Sequence, residues 1–274
     1  MQPKSALDDA LALMRDLRAR CDWDAAQTHE SLRPYLIEEA HEVDEAIRSG
    51  NDALLREELG DLLLQVLFHS VLAAERNAFG ADDVAHTLVT KMRGRHPHLY
   101  GDGVKEPWER MKATTRRSIV DGLPVQLPAL HRAHRLQDRA AGVHFDWPDT
   151  AGPVAKVAEE LAEVSERLAA HPPRIAPSGA PVHDAEHERL SEELGDLLFS
   201  CVNLCRKAGV HAALALDAAN AKFARRFQAV EALARERGLR VGEVPLGVLD
   251  ALWDEVKARE MSGDAAVRPV PLAP

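Results

Sequence analysis

The chain has 274 residues, of which 46% are hydrophobic, 28% charged and only 4% aromatic. A core drawn mainly from Ala, Leu and Val favours helices, because strands rely on β-branched and aromatic residues. The formal net charge of −10 leaves no basic surface for direct nucleic-acid binding, and three cysteines (Cys21, Cys201, Cys205) are too few for a disulfide framework.

The first stretch, MQPKSALDDALALMRDLRAR, is an amphipathic helix over roughly 5–20 with acids inside it, which is not a signal-peptide pattern. No apolar run reaches the ~18 residues of a membrane span, so the expected location is the cytoplasm. A helix over roughly 31–48 ends at Ser49-Gly50-Asn51-Asp52, a C-cap followed by a new N-cap. The next, roughly 52–76, has a middle (LLLQVLFHSVLAA) that is apolar nearly all round and is expected to be buried. A helix of roughly 81–93 leads to an expected loop beginning at His96-Pro97-His98, a short helix near 108–118 and a connector at 121–128. The second half repeats the plan: helices at roughly 128–140, 153–170, 184–208, 211–237 and 246–260, with a flexible loop over 171–183 and a disordered tail. Cys201 and Cys205, four apart on one of these helices, read as core thiols. The predicted fold is all-α, with two tandem helical-bundle repeats. The first occupies 1–120 and the second 129–262, joined by a linker at 121–128 and followed by a tail at 263–274.

The halves share four features in the same order. Each has a tryptophan in an acidic turn, Asp22-Trp23-Asp24 and Asp146-Trp147-Pro148. Each continues with an EExxE helix, Glu38-Glu39-x-x-Glu42 and Glu159-Glu160-x-x-Glu163. Each then carries EELGDLL, at Glu57–Leu63 and Glu192–Leu198, and closes with Lys-x-x-x-Arg, Lys91/Arg95 and Lys222/Arg226. Such an ordered set marks an internal duplication.

Residues three apart share a helix face. Glu39 with Glu42, and Glu58 with Asp61, therefore point together, as do Glu160 with Glu163 and Glu193 with Asp196. Four converging carboxylates repel one another unless a cation sits among them, and all-oxygen ligation suits Mg²⁺, with Mn²⁺ as a substitute. EExxE alone usually marks a solvated face. The Asp61 and Asp196 motifs are harder to dismiss, since each leads into an apolar helix middle. Gly60 and Gly195 beside them cost about 1 kcal/mol each relative to Ala in a helix, which suggests close approach of something to that backbone.

A di-iron oxidase would need Glu-x-x-His on two helices. Only Glu38-x-x-His41 matches, and His41 reads as an ordinary surface or core histidine. Phosphate chemistry instead needs cations near the carboxylates, and these favour the second copy. Lys156 lies four before Glu160, and Arg189 four before Glu193. Asn220, Lys222 and Arg226 share a later helix; Trp253 and Lys257 share the last. The first copy has Tyr35, Leu54 and Val89 at the positions of Lys156, Arg189 and Asn220, keeping only Lys91 and Arg95.

The segments CDWDAAQT, YLIEEAHEV, EELGDLLLQV, RGRHPHLYG, GVHFDWPD, KVAEELAEV, EELGDLLFSCVNL, NAKFARRF and LWDEVKARE make the chain resemble a tandem MazG-type nucleoside triphosphate pyrophosphohydrolase over nearly its whole length. The resemblance implies an all-α enzyme that converts a nucleoside triphosphate to the monophosphate and pyrophosphate with Mg²⁺. It also implies a homodimer with sites where helices of two chains meet. Glu160, Glu163, Glu193 and Asp196 would then be metal ligands, with Glu39, Glu42, Glu58 and Asp61 as first-copy counterparts. Lys156, Glu159, Arg189, Glu192, Asn220, Lys222, Arg226, Trp253 and Lys257 would hold or orient the nucleotide. Glu159 or Glu192 would orient the attacking water, and Lys222, Arg226 and Lys156 would offset charge on the leaving pyrophosphate. Three departures stand out: Arg189 replaces the usual Lys, 29 residues run from Val164 to Glu192 between the second-copy motifs, and Asp22 stands where Pro is frequent. A nucleotide-binding module without turnover and a di-iron protein remain as alternatives.

Overall fold

The computed structural model describes residues 5–105, 108–113, 116–172, 174–175 and 182–261. The expected tail at 263–274 and the centre of the 171–183 loop lie outside them. The described residues form twelve helices, and the chain divides into two compact units, Met1–Lys105 and Glu106–Pro274.

In the first unit, α1 (Ala6–Arg20) starts at a capping box in which Ser5 Oγ accepts from the Asp8 N–H and Asp8 accepts from the Ser5 N–H. The Asp22-Trp23-Asp24 segment, expected to be a turn, is instead a short helix, α2 (Asp22–Ala26). The Arg18 side chain explains it. Its guanidinium donates to the carbonyls of Asp24, Ala25 and Gln27 at the end of α2 and pairs with Glu75 at 2.8 Å. Next, α3 (Arg33–Ser49) ends at Gly50, whose φ of +66° suits a residue without Cβ. Asn51 then caps α4 (Asp52–Glu75) by accepting from the Ala53 and Leu54 N–H groups. Finally α5 (Ala81–Arg95) leads to α6 (Pro97–Tyr100), a helical turn where a loop was expected. Met14, Leu32, Phe68, Val71 and Leu72 form the core between α1 and α4, and α3 lies along α4.

The second unit begins with α7 (Trp108–Ala113), ahead of the connector expected at 121–128, and α7 packs on α8 (Ala129–Gly142). One carboxylate ties this corner. Glu109 accepts from Arg116 at 2.8 Å and from Arg135 of α8 at 2.5 Å. Helix α9 (Ala151–Ala170) lies along α10 (Ala185–Lys207), whose N-cap Asp184 accepts from the Glu186 and His187 N–H groups. Helices α11 (Ala212–Glu236) and α12 (Leu246–Met261) enclose a core of Val230, Leu233, Ala234, Leu252 and Val256. Among the described residues no helix is long and apolar enough to cross a membrane.

The apolar helix middles are less buried than their composition predicts. Phe68, Val71 and Leu72 of α4 are inside, but Leu64 and Val66 are exposed. On α10, Val202 is buried while Leu198 and Phe199 are exposed. Within one chain these helices carry apolar side chains on more faces than their neighbours cover.

Candidate metal and nucleotide site

In the second unit, α9 and α10 run side by side and bring Glu160, Glu163 and Glu193 together. One carboxylate oxygen from each lies within 4.8 Å of the others. Glu160 is buried, and Lys156 one turn earlier holds it at 2.8 Å while also holding Glu159 at 2.9 Å. Burial, then the neighbouring charges of Glu160 and Glu193, push the Glu163 carboxyl above its usual range. Hydrogen bonds to Glu160 and then Glu159 raise the Lys156 pKa as well, which favours its charged form. Asp196 and Glu192 are exposed, and Asp196 stands outside the three-carboxylate group.

The first unit repeats the arrangement between α3 and α4. Glu39, Glu58 and Asp61 gather within the same 4.8 Å, and Glu42 stays outside that group. Burial, with Asp61 and Glu42 nearby, raises the Glu39 carboxyl; burial, with Glu42 and Asp61, raises that of Glu58. Buried Gln65, one turn beyond Asp61, works against the rise by hydrogen-bonding to Glu39. Glu38 and His41 are exposed and belong to neither group, which leaves the di-iron pattern without its histidine.

The donor sets suit a hard divalent cation. Burial first, and the like charges of neighbouring carboxylates after it, raise these carboxyls, and a bound cation would offset both. No thiolate or imidazole joins either group among the described residues, so nothing in them selects a softer metal.

Of the cations expected to hold a triphosphate, Lys156 sits on the second cluster, while the others pair with other carboxylates or are exposed. Arg189 pairs with Glu186 at 2.7 Å. On α11, Asn220 and Lys222 are exposed, and Arg226 pairs with Glu260 at 2.8 Å. On α12, Lys257 pairs with Asp254 at 2.8 Å. Arg226 lies 6.0 Å from the Trp253 ring, and Phe223 lies 5.3 Å from it, so these residues form one aromatic and cationic surface across α11 and α12.

The expected approach to the Gly60 and Gly195 backbone is not met within the chain, where nothing lies within 4 Å of a Cβ built at either. Close approach occurs instead at Gly152, which the sequence reading passed over. A Cβ there would lie 2.0 Å from Trp147 Cδ1, so the indole of the acidic turn rests on the start of α9. Asp146, beside it, takes Arg206 at 2.5 Å and Lys207 at 3.0 Å. Trp147, Phe145, Phe199 and buried Gln137 line an apolar cavity of about 300 Å³ between α8 and α10.

Arg167 was also missed. It lies four residues after Glu163, on the same face, and its guanidinium holds Glu193 at 2.6 Å. The i,i+4 spacing was the available signal.

A duplicated all-helical fold with one carboxylate cluster in each copy defines a tandem helical protein whose acidic groups could hold a metal ion. The chain belongs to the MazG family. The family model of the MazG nucleotide pyrophosphohydrolase domain matches it twice, at residues 27–100 and 152–230. It is 42% identical over 259 residues to the nucleoside triphosphate pyrophosphohydrolase/pyrophosphatase MazG of Thermotoga maritima, covering 91% of this chain and 95% of that one. It is 39% identical over 271 residues to the nucleoside triphosphate pyrophosphohydrolase of Escherichia coli K12, covering 93% and 98%. The enzyme of that name from Mycobacterium tuberculosis is 45% identical over 144 residues, half of this chain.

Proposed function

We propose that the protein hydrolyses nucleoside triphosphates between the α and β phosphates, releasing the monophosphate and pyrophosphate, and that the second unit does so. The observation that carries the assignment is the Glu160, Glu163 and Glu193 cluster with Lys156 already seated on it; the first cluster has Tyr35 at the matching position.

Glu160, Glu163, Glu193 and Asp196 would hold Mg²⁺, or Mn²⁺ in its place. When bound, the ion supplies a Lewis acid for the phosphate oxygens and lowers the pKa of water. Lys156 fixes the Glu160 carboxylate and leaves Glu159, exposed beside it, positioned to orient a water or accept its proton. Glu192, exposed on α10, is the other candidate for that task. Lys222, Arg226 and Lys257, with Arg189, bind the phosphates and offset charge on the leaving pyrophosphate, while Asn220 and Trp253 hold the nucleotide.

The α11–α12 surface is brought to the cluster by a second copy of the chain. Exposed Leu194 and Leu198 of α10 and Phe223 of α11 supply apolar area for a homodimer. The first unit then serves as scaffold or as a weaker site, and the protein works in the cytoplasm.

Incubating the protein with a panel of nucleoside triphosphates, with and without Mg²⁺, tests the reaction. Monophosphate plus pyrophosphate supports it; diphosphate plus phosphate, or binding without products, overturns it. Mixed dimers of Glu193→Gln and Lys222→Ala chains test the shared site. Two inactive variants that recover activity when mixed support completion across the dimer; two that stay inactive place the site within one chain.

A further inference from the structure

We propose that Arg167 is a built-in counter-ion of the second carboxylate cluster, holding Glu193 in the metal-free protein and releasing it to Glu186 when the divalent cation arrives. The inference rests on the metal site proposed above.

Both bonds from Arg167 fall on one oxygen. Nη2 lies 2.6 Å and Nε 3.2 Å from Glu193 Oε1. The Glu193 carboxylate is one of the three that gather with Glu160 and Glu163, so the guanidinium is bonded to a carboxylate of that group. Two consequences follow from charge alone. Without metal, Arg167 relieves repulsion among three acids. With metal, a fixed positive group beside the site opposes a second positive charge and competes for the same lone pairs.

A second seat lies within reach. Arg167 Nη1 is 3.7 Å from Glu186 Oε2, too far for a hydrogen bond. That oxygen is buried and has no hydrogen-bond partner among the described residues. A buried carboxylate oxygen left unsatisfied is costly, and a small shift of the guanidinium from Glu193 would satisfy it. His171 and Arg189 approach Glu186 as well, at 3.5 Å and 2.7 Å, so it already gathers positive charge at the start of α10.

The first copy lacks the device. Its residue at the Arg167 position is Ala46, fully buried. The two clusters therefore differ in how they are balanced without metal: the second carries its own cation and the first does not. In the second, binding through the Glu193 oxygen that Arg167 holds displaces the guanidinium, so a triphosphate that offers it further negative charge favours metal entry. This couples metal binding to nucleotide binding through a positioning residue.

The test is calorimetry with Mg²⁺ and Mn²⁺ on the full chain in a Glu58→Gln background, which silences the first cluster, beside thermal unfolding in chelator. Arg167→Gln is expected to bind Mg²⁺ roughly three- to tenfold more tightly, the scale of a partly exposed ion pair. It is also expected to unfold at a lower temperature without metal. A purely structural arginine would lower both metal affinity and unfolding temperature. Glu186→Gln, which weakens the second seat, is expected to loosen Mg²⁺ binding and gives an independent reading if Arg167→Gln folds poorly. A non-hydrolysable triphosphate should tighten Mg²⁺ binding more in the parent than in Arg167→Gln. Equal or weaker Mg²⁺ binding by Arg167→Gln, where the parent binds, overturns this role and leaves the metal site standing. Absence of Mg²⁺ and Mn²⁺ binding in every protein, even with nucleotide, overturns both.

Discussion

Replacing Glu109 by Gln removes the carboxylate on which two arginines depend. Arg116 and Arg135 meet it from either side, and the side chains of Glu109 and Arg116 are only 14% and 13% exposed. Arg139, buried nearby, is already held below its usual pKa by burial and by repulsion from Arg116. Gln keeps the shape but offers no charge, so three guanidiniums are left crowded together. Breaking a buried ion pair costs about 3–5 kcal/mol, and the 35% exposure of Arg135 reduces this to roughly 2–3 kcal/mol. For a unit of this size that lowers the melting temperature by about 4–12 °C. The pH dependence has a defined sign. Burial would raise the Glu109 carboxyl, but hydrogen bonds and charge from Arg116 and Arg135 outweigh it and hold the pKa below the usual range. A depressed carboxyl contributes stability above its unfolded pKa, and loses it as pH falls through the folded one. The parent should therefore lose this contribution in acid, whereas Glu109→Gln lacks it at every pH. Thermal unfolding of both proteins across a pH series measures the gap. A gap under about 0.5 kcal/mol at neutral pH, or one that does not narrow in acid, would refute the reasoning.

Glu193→Gln should reduce pyrophosphate release at least about a hundredfold, since it removes a charge from the cluster, while Glu58→Gln should reduce it far less. Steady-state kinetics compares them, and equal losses would contradict assignment of the reaction to the second unit. Gly152→Ala should destabilise the protein by about 1–3 kcal/mol, because its methyl would meet the Trp147 ring at 2.0 Å. Urea unfolding checks it, with unchanged stability as the contrary result.

Much of the helical order was legible because local signals agreed. The Asn51 cap, the Gly50 stop and the 3.6-residue period each mark a boundary that the structure places within a residue or two. The short helices α2 and α6 were not legible. Arg18 closes α2 from another helix, and that contact is invisible to a reading by neighbours in the chain. Three members of each carboxylate cluster could be read from i,i+3 spacing, since such spacing fixes a shared face. Spacing does not fix side-chain reach, and Glu42 and Asp196 fall outside the groups they were assigned to. Glu186, the second carboxylate facing Arg167, had no motif to mark it, because its relation to the cluster comes from the packing of α9 on α10.

The duplication leaves two copies that solve one electrostatic problem differently. Each must hold three acids close together before any ion is present. The second sets Lys156 on Glu160 and Arg167 on Glu193, and its Glu163 carboxyl is displaced upward. The first has Tyr35 and Ala46 at those places, and both Glu39 and Glu58 are displaced upward. A carboxyl with a raised pKa takes up a proton more readily, and protons compete with metal for the same oxygens. The second cluster has fixed cations on two of its three carboxylates, and the first has neither of those two cations. Fixed cations also serve an anionic substrate, because they stay charged as the triphosphate arrives. Lys156 and Arg167 on its carboxylates are the reason the reaction is proposed for the second copy.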